Sequence, residues 1–336
     1  MSTVANLSTP PIWQQSLAKA FRNVADLLAY LDINIDDLSE YQQAHGLFPL
    51  LVTQHYADLI RKGDLNDPLL RQVLPSPDEL NVVNGYLSDP VGDMKASVSP
   101  GLLHKYHGRA LMITTGACAI HCRYCFRREF PYSDNSTQRS FIQSTINYLE
   151  SNDELNEVIL SGGDPLTLSD QRLRELIENI ANIKHIQRLR IHSRLPIVLP
   201  KRITGELLDL LVNNRLQVIM VVHANHPNEI SGDVKKAFHR MQTSGIRLLN
   251  QTVLLKGIND NSNTLADLSN VLFDHHVLPY YLHTLDKVNG AAHFDTPLEQ
   301  ALALHKTLQQ SLSGYLVPKL VREIEGEKSK TLLITK

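Results

Sequence analysis

The chain of 336 residues carries 33 Lys and Arg against 35 Asp and Glu, a formal net charge of −2, with 43% hydrophobic residues. That balance offers no field to attract nucleic acid or anionic lipid, and the basic residues are dispersed rather than gathered in a stripe. No apolar run approaches the ~20 residues needed to span a bilayer, and the start MSTVANLSTPPIWQQ lacks the basic and apolar regions of a signal peptide, so a cytoplasmic protein with neither nucleic-acid nor membrane partner is expected.

Helix-like periodicity runs through WQQSLAKAFRNVADLLAYL (13–31) and PLLVTQHYADLIRKG (49–63), with the proline-broken NDPLLRQVLPSPDEL (66–80) as a connection. Residues 1–100 therefore read as an N-terminal helical region. From residue 109 the pattern changes to short β-rich runs: RALMITT, EVILSGG, QRLRIHS, LQVIMVVH, RLLNQTVLL and LPYYLHTL. Intervals such as STQRSFIQSTINYLESN, SDQRLRELIENIAN, TGELLDLLVNN and GDVKKAFHRMQTSG each hold one amphipathic helix. Strand and helix in alternation predict an α/β fold of six βα units over 101–290, either an open doubly wound sheet or a partial TIM-like barrel, followed by a C-terminal segment, 291–336. In either architecture function gathers at the C-terminal ends of the strands.

All three cysteines of the chain, Cys118, Cys122 and Cys125, fall in GACAIHCRYCFRREF (116–130), the loop after the first of these strands. An odd number so close together is no secreted disulfide framework, while thiols kept reduced in a cytosol are available as thiolate ligands. Spacings of x3 and x2 bring three thiolates to one side but leave a tetrahedral metal one ligand short. His121, His104 or His107 could complete a structural zinc site. A CxxC pair could serve redox chemistry, but the third cysteine would then be unexplained. A [4Fe–4S] cluster, with three irons on protein thiolates and the fourth open to a small molecule, uses all three.

CxxxCxxC after the first strand of a βα chain, with Tyr124 just before the last cysteine, resembles the radical S-adenosylmethionine (SAM) superfamily. The resemblance implies that SAM chelates the open iron. An electron, delivered by a donor such as flavodoxin or ferredoxin, would then release a 5′-deoxyadenosyl radical. LSGGDPL (160–166), at the end of the second strand, resembles the superfamily's glycine motif. Gly162, Gly163 and Asp164 would border SAM, the glycines letting the backbone approach its methionine portion. A Gly-Gly pair read alone is a turn. His223 and Gln251, at the ends of strands four and five, are placed either to touch SAM or to make buried structural hydrogen bonds.

RYCFRREF, LSGGDPL, HSRLPIVLPKRIT, HANHPNEI, NQTVLLKGIND, PYYLHTLDKVNGAAHF and SGYLVPKLVREIEGEKSK, in this order, resemble the lysine 2,3-aminomutases. In that family a lysine near the C-terminus holds pyridoxal phosphate (PLP) in the resting enzyme, and counting forward from GYLVP puts Lys330 there. The glycine-rich turn that precedes this lysine in many relatives reads EGEKSK here, so Lys328 and Lys319 are rivals. The resemblance also implies Arg127 for the substrate α-carboxylate, a bidentate task that suits a guanidinium. Asp286 would recognise the far ammonium of L-lysine together with Glu323, a longer acid than the family's usual aspartate. Lys105, Tyr106 and Arg109 of HKYHGRA match a segment that contacts the PLP phosphate, with lysine where the family often has arginine.

The implied reaction is a 1,2-amino shift begun by hydrogen abstraction from the β-carbon of lysine. The chain stops at Lys336, soon after Lys330, and has no further cysteine for the inter-subunit zinc of some catabolic relatives. Both features resemble the branch that makes (R)-β-lysine from (S)-α-lysine for a ligase acting on elongation factor P. A catabolic free-lysine aminomutase and a radical SAM enzyme without PLP are the alternatives.

Overall fold

A computed structural model describes residues 10–133 and 142–334. The first nine residues of the sequence examined for a signal peptide, the opening of the STQRSFIQSTINYLESN interval and the last two residues lie outside these. Ten strands form one sheet in chain order. β1 (Ser97–Ser99), β2 (Leu102–Tyr106) and β3 (Arg109–Thr115) are an antiparallel meander. From β3 onward the sheet is parallel through β4 (Glu157–Gly162), β5 (Arg188–Ser193), β6 (Gln217–Val222), β7 (Arg247–Val253), β8 (Val277–His283) and β9 (Lys319–Arg322). β10 (Thr331–Leu332) closes the series antiparallel to β9. The two ends of the sheet do not pair with each other among the described residues, so the barrel is partial.

Among the described residues, four short α-helices precede the sheet: α1 (Ile12–Ala18), α2 (Val24–Tyr30), α3 (Ser39–Leu47) and α4 (Gln54–Ala57). The periodic stretch 13–31 is thus two helices. Asn23 accepts from the Ala25 and Asp26 amides and starts α2 afresh, while Phe21 leaves the helical path to exchange backbone hydrogen bonds with Val52. The stretch 49–63 holds only the single turn of α4, capped by Thr53.

Each crossover carries a helix: α5 (Ile142–Ser151), α6 (Asp170–Asn182), the turn α7 (Leu195–Val198) with α8 (Gly205–Val212), α9 (Gly232–Thr243), α10 (Ser262–Asp274) and α11 (Leu298–Ser311). α6 shows why. Ser169 caps it, and Leu173, Leu176, Ile177 and Ile180 recur at the spacing that puts them on one buried stripe. The six expected strands are all present, with β9 added as a seventh parallel one. The sheet therefore runs through both positions, near 100 and 290, where segments were expected to divide. One core joins the N-terminal helices to the barrel, packing Trp13, Leu27 and Tyr56 in the same cluster as Leu160, Ile191 and Phe238.

Candidate active site

A cavity of about 700 Å³ lies inside the barrel, lined from the strand starts at Arg109, Glu157 and Arg188 to the loops beyond their C-terminal ends. Cys118, Cys122 and Cys125 line the outer end. Two residues between them are fastened to the N-terminal region through their amides. The His121 amide donates to Leu51 O at 2.9 Å, and the Arg123 amide to Gln72 O at 2.9 Å. The Arg123 guanidinium, fully buried, donates to both oxygens of Glu79, at 2.8 and 2.6 Å, and to Phe48 O at 2.6 Å. Arg128 reaches the same Glu79 carboxylate at 2.7 Å. The loop thus turns the cysteines to the cavity, while Arg123 and Arg128 reach a buried acid.

The glycine motif is stitched to this loop. The Gly163 and Asp164 amides donate to Thr115 O and Ala117 O at 2.7 and 2.8 Å. A Cβ on Gly163 would lie 2.4 Å from Ala117 O, and one on Gly162, at φ +119°, 2.7 Å from Thr115 O. The glycines are needed here for the close approach of β4 to the cysteine loop, and both also line the cavity. The Asp164 carboxylate is likewise occupied. It accepts from Ser193 Oγ and the Leu166 amide on one oxygen, and from the Arg194 and Leu195 amides, at 2.7 and 3.1 Å, on the other. Burial pushes its pKa up to about 6 against the pull of these hydrogen bonds. Its side chain thus positions the end of β5, and Asp164 also lines the cavity.

Farther in, the cavity holds a chain of alternating charges. Lys330 donates to Glu323 Oε2 at 2.5 Å. Lys105 donates to Glu323 Oε1 at 2.9 Å, to Val91 O at 2.8 Å, and pairs with Asp93 at 2.6 Å. Arg127 binds the other Asp93 oxygen through Nε at 2.7 Å and Ser161 Oγ at 3.1 Å. An ammonium has three donors, so these partners take all of those of Lys105, which also lines the cavity. Arg109 differs: its guanidinium lies 4.7 Å over the Tyr106 ring and makes only a 3.5 Å contact with His107 O. Among the described residues, Arg127 uses two of its five donors in these bonds. Of the rival lysines, Lys330 lines the cavity, whereas Lys328 and Lys319 are exposed and do not.

Asp286 also lines the cavity, and its carboxyl has no hydrogen bond or ion pair among the described residues; burial, then the charge of Glu323, pushes its pKa up to about 7. His223 has no hydrogen-bond partner among them either, and its ring packs 5.6 Å from that of His192. Burial and Arg194 pull it down to about 4, so it is neutral. Gln251 Nε2 lies 2.8 Å from His283 Nε2, a structural hydrogen bond, while its Oε1 is buried without a partner.

The radical SAM superfamily model matches residues 112–268. An L-lysine 2,3-aminomutase of Escherichia coli is 47% identical over 99% of this chain and 98% of its own length. One from Haemophilus influenzae is 47% identical over 95% of both chains, and one from Clostridium subterminale is 35% identical over 95% of this chain and 77% of its own. The chain belongs to the radical SAM L-lysine 2,3-aminomutase family. It is an enzyme of the isomerase class.

Radical SAM enzymes of this family use a [4Fe–4S] cluster and SAM, and the cysteine loop fits the cluster. Burial and the neighbouring sulfurs push Cys118 up and Cys125 up to about 11, so a thiolate set here calls for cationic irons to offset it. Among the described residues no three His, Cys, Asp or Glu side chains converge on one ion, as a zinc site would need, whereas a cluster takes each thiolate on a different iron. Sequence reasoning missed Asp93, Glu79 and Arg194. Only Arg194 carried a signal, its place immediately after β5 at the functional end of the barrel.

Proposed function

We propose that this protein is a PLP-dependent L-lysine 2,3-aminomutase that converts (S)-α-lysine to (R)-β-lysine in the cytoplasm. The observation that carries the reading is Asp286, an unpaired carboxyl in a cavity that also holds the amine of Lys330 and the free donors of Arg127. Two carboxyls and a guanidinium at one site match a substrate with an ammonium at its far end and a carboxylate at the other. Arg127, held by Asp93 and Ser161, presents a fixed fork to the α-carboxylate. Asp286 takes the ε-ammonium. Glu323 joins it once Lys330 is engaged by the cofactor and no longer carries the ammonium that fills Oε2.

PLP fits the inner cavity, with Lys330 as its anchor and Tyr106 and Arg109 near its phosphate; when bound it supplies a π-system that accepts a radical next to nitrogen, which makes the amino shift possible. His223 and Gln251 present an imidazole nitrogen and a buried carbonyl oxygen toward SAM. Enclosure by the barrel keeps water from the radical. Anaerobic reconstitution with iron, sulfide, PLP, SAM and a reductant such as flavodoxin, then mass spectrometry on L-lysine, tests the reading. β-Lysine is the expected product, and cleavage of SAM without it would overturn the assignment.

The finer role proposed is supply of (R)-β-lysine to the ligase that modifies elongation factor P. Confinement of every cysteine to the cluster loop supports it, since no thiolate remains for the inter-subunit zinc of catabolic relatives. Deleting the gene should remove the β-lysyl mass from elongation factor P, and added (R)-β-lysine should restore it. Fully modified elongation factor P in a deletion strain without another aminomutase would favour the catabolic role.

A further inference from the structure

Arg194 is the most elaborately held side chain at the outer end of the cavity, and no step of the proposed reaction uses it. Its amide is fixed by Asp164. Its guanidinium lies 5.4 Å over the Tyr56 ring and 5.8 Å over that of Tyr124. Nη2 donates to Glu229 Oε2 at 3.0 Å and Gln72 Oε1 at 2.8 Å, both fully buried side chains. With that edge fixed, the opposite one is aimed: Nη1 stands 2.6 Å from the Cys122 sulfur. Nε is buried with no partner, a donor left beside the same cavity. The other arginines near the loop pair with other acids. Arg123 and Arg128 end on Glu79, and Arg127 on Asp93.

We infer that Arg194 is a positioning residue that sets the reduction potential of the cluster by holding a positive charge and an N–H donor on the sulfur of Cys122. The inference rests on the cluster assigned to the three cysteines. Reduction adds negative charge, and part of it resides on the ligand sulfurs. A cation and a hydrogen bond at one of those sulfurs stabilise the reduced state more than the oxidised one, which raises the potential. The acid of the glycine motif acts at one remove, since Asp164 fixes the backbone from which Arg194 reaches Cys122.

The test is a redox titration of the reconstituted protein without SAM or lysine, followed by the electron paramagnetic resonance signal of the reduced cluster. Arg194→Gln should shift the equilibrium with a given donor at least tenfold toward the oxidised cluster, ~59 mV for a one-electron couple. Arg194→Lys, which keeps the charge but loses the fork, should fall between it and the unaltered protein. Iron and sulfide are measured first on the unaltered protein: their absence there would sink the cluster itself, a different failure. An Arg194→Gln protein with full iron and sulfide and an unchanged potential overturns the inference. If that variant assembles no cluster, Arg194→Lys decides, a lowered potential supporting the role and an unchanged one ending it.

Discussion

The two ends of the cavity are built on opposite principles. At the cysteine end His121, Arg123 and Tyr124, which lie between the cysteines, are hydrogen-bonded to separate parts of the chain, and the acid that anchors Arg123, Glu79, is completely buried between two arginines. At the amine end Lys330 sits in a largely exposed stretch, 324–330, held by its ion pair with Glu323 and by two residues of β10. The difference follows from what each end must do. A cluster needs its ligands fixed, because misplacing one releases an iron; under the proposed function, an amine that gives up a cofactor to each incoming substrate must be able to leave. Lys330 has one carboxylate to release, whereas Arg123 would have to abandon a buried ion pair and two backbone carbonyls.

The sharpest way to break the contrast is at the ligands. Changing any one of Cys118, Cys122 or Cys125 to Ala should abolish both the iron–sulfur absorbance and SAM cleavage, since three thiolates are the minimum that holds the cluster. Full cluster content in any of these variants would mean that the loop is not the ligand set. Next in size is the amine. Lys330→Ala should lose the borohydride-reducible PLP adduct entirely and retain iron and sulfide, while Lys328→Ala keeps both. Peptide mapping that placed the adduct on Lys328 would move the anchor out of the cavity described here.

How far each end could be read beforehand tracks the same division. The six strands and the cysteine loop were legible because they are local: β-branched runs bounded by helix caps, and three cysteines within one loop. The anchoring was not, because it joins distant stretches. Arg123 meets Glu79 44 residues away, Arg127 meets Asp93 34 away, and Arg194 meets Cys122 72 away. No local pattern announces such partners. β9 escaped notice for another reason: four residues with lysine and arginine at its ends, in KLVR, carry too little apolar alternation to be told from a charged tail. Asp164 and Lys105 both line the cavity, but no motif reveals the neighbours that take up their hydrogen bonds.

The rigidity of the cysteine end can itself be tested. Glu79→Gln removes the one carboxylate that neutralises Arg123 and Arg128, leaving two cations without a counter-ion in a dry site. Breaking a buried pair in this way costs ~3–5 kcal/mol. Chemical denaturation should show a loss of that order, and iron should dissociate faster on incubation with a chelator. Lys330→Ala, on the exposed stretch, should leave the unfolding midpoint nearly unchanged. Equal losses from the two substitutions would erase the distinction between the ends.

The mildest effect belongs to the open carboxyl at the amine end. Burial and Glu323 hold the pKa of Asp286 up at about 7, so in the free enzyme the group is largely protonated below that pH. It binds an ammonium only when ionised. The rate at low substrate, kcat/KM, reports ionisation in the free enzyme, so it should fall about tenfold per pH unit below 7 and level off above it. Under saturating lysine the bound ammonium favours the carboxylate, and the corresponding limb in kcat should lie at lower pH. Tying up Lys330 with cofactor removes a cation that now lowers the Asp286 pKa, which moves the free-enzyme limb upward if it moves it at all. Asp286→Asn cannot ionise. That variant should therefore lose the acid limb as well as most of its kcat/KM for lysine, with iron, sulfide and PLP content unchanged. A limb that persists with the same midpoint in Asp286→Asn would assign the titration to another group and leave the ε-ammonium to Glu323 alone.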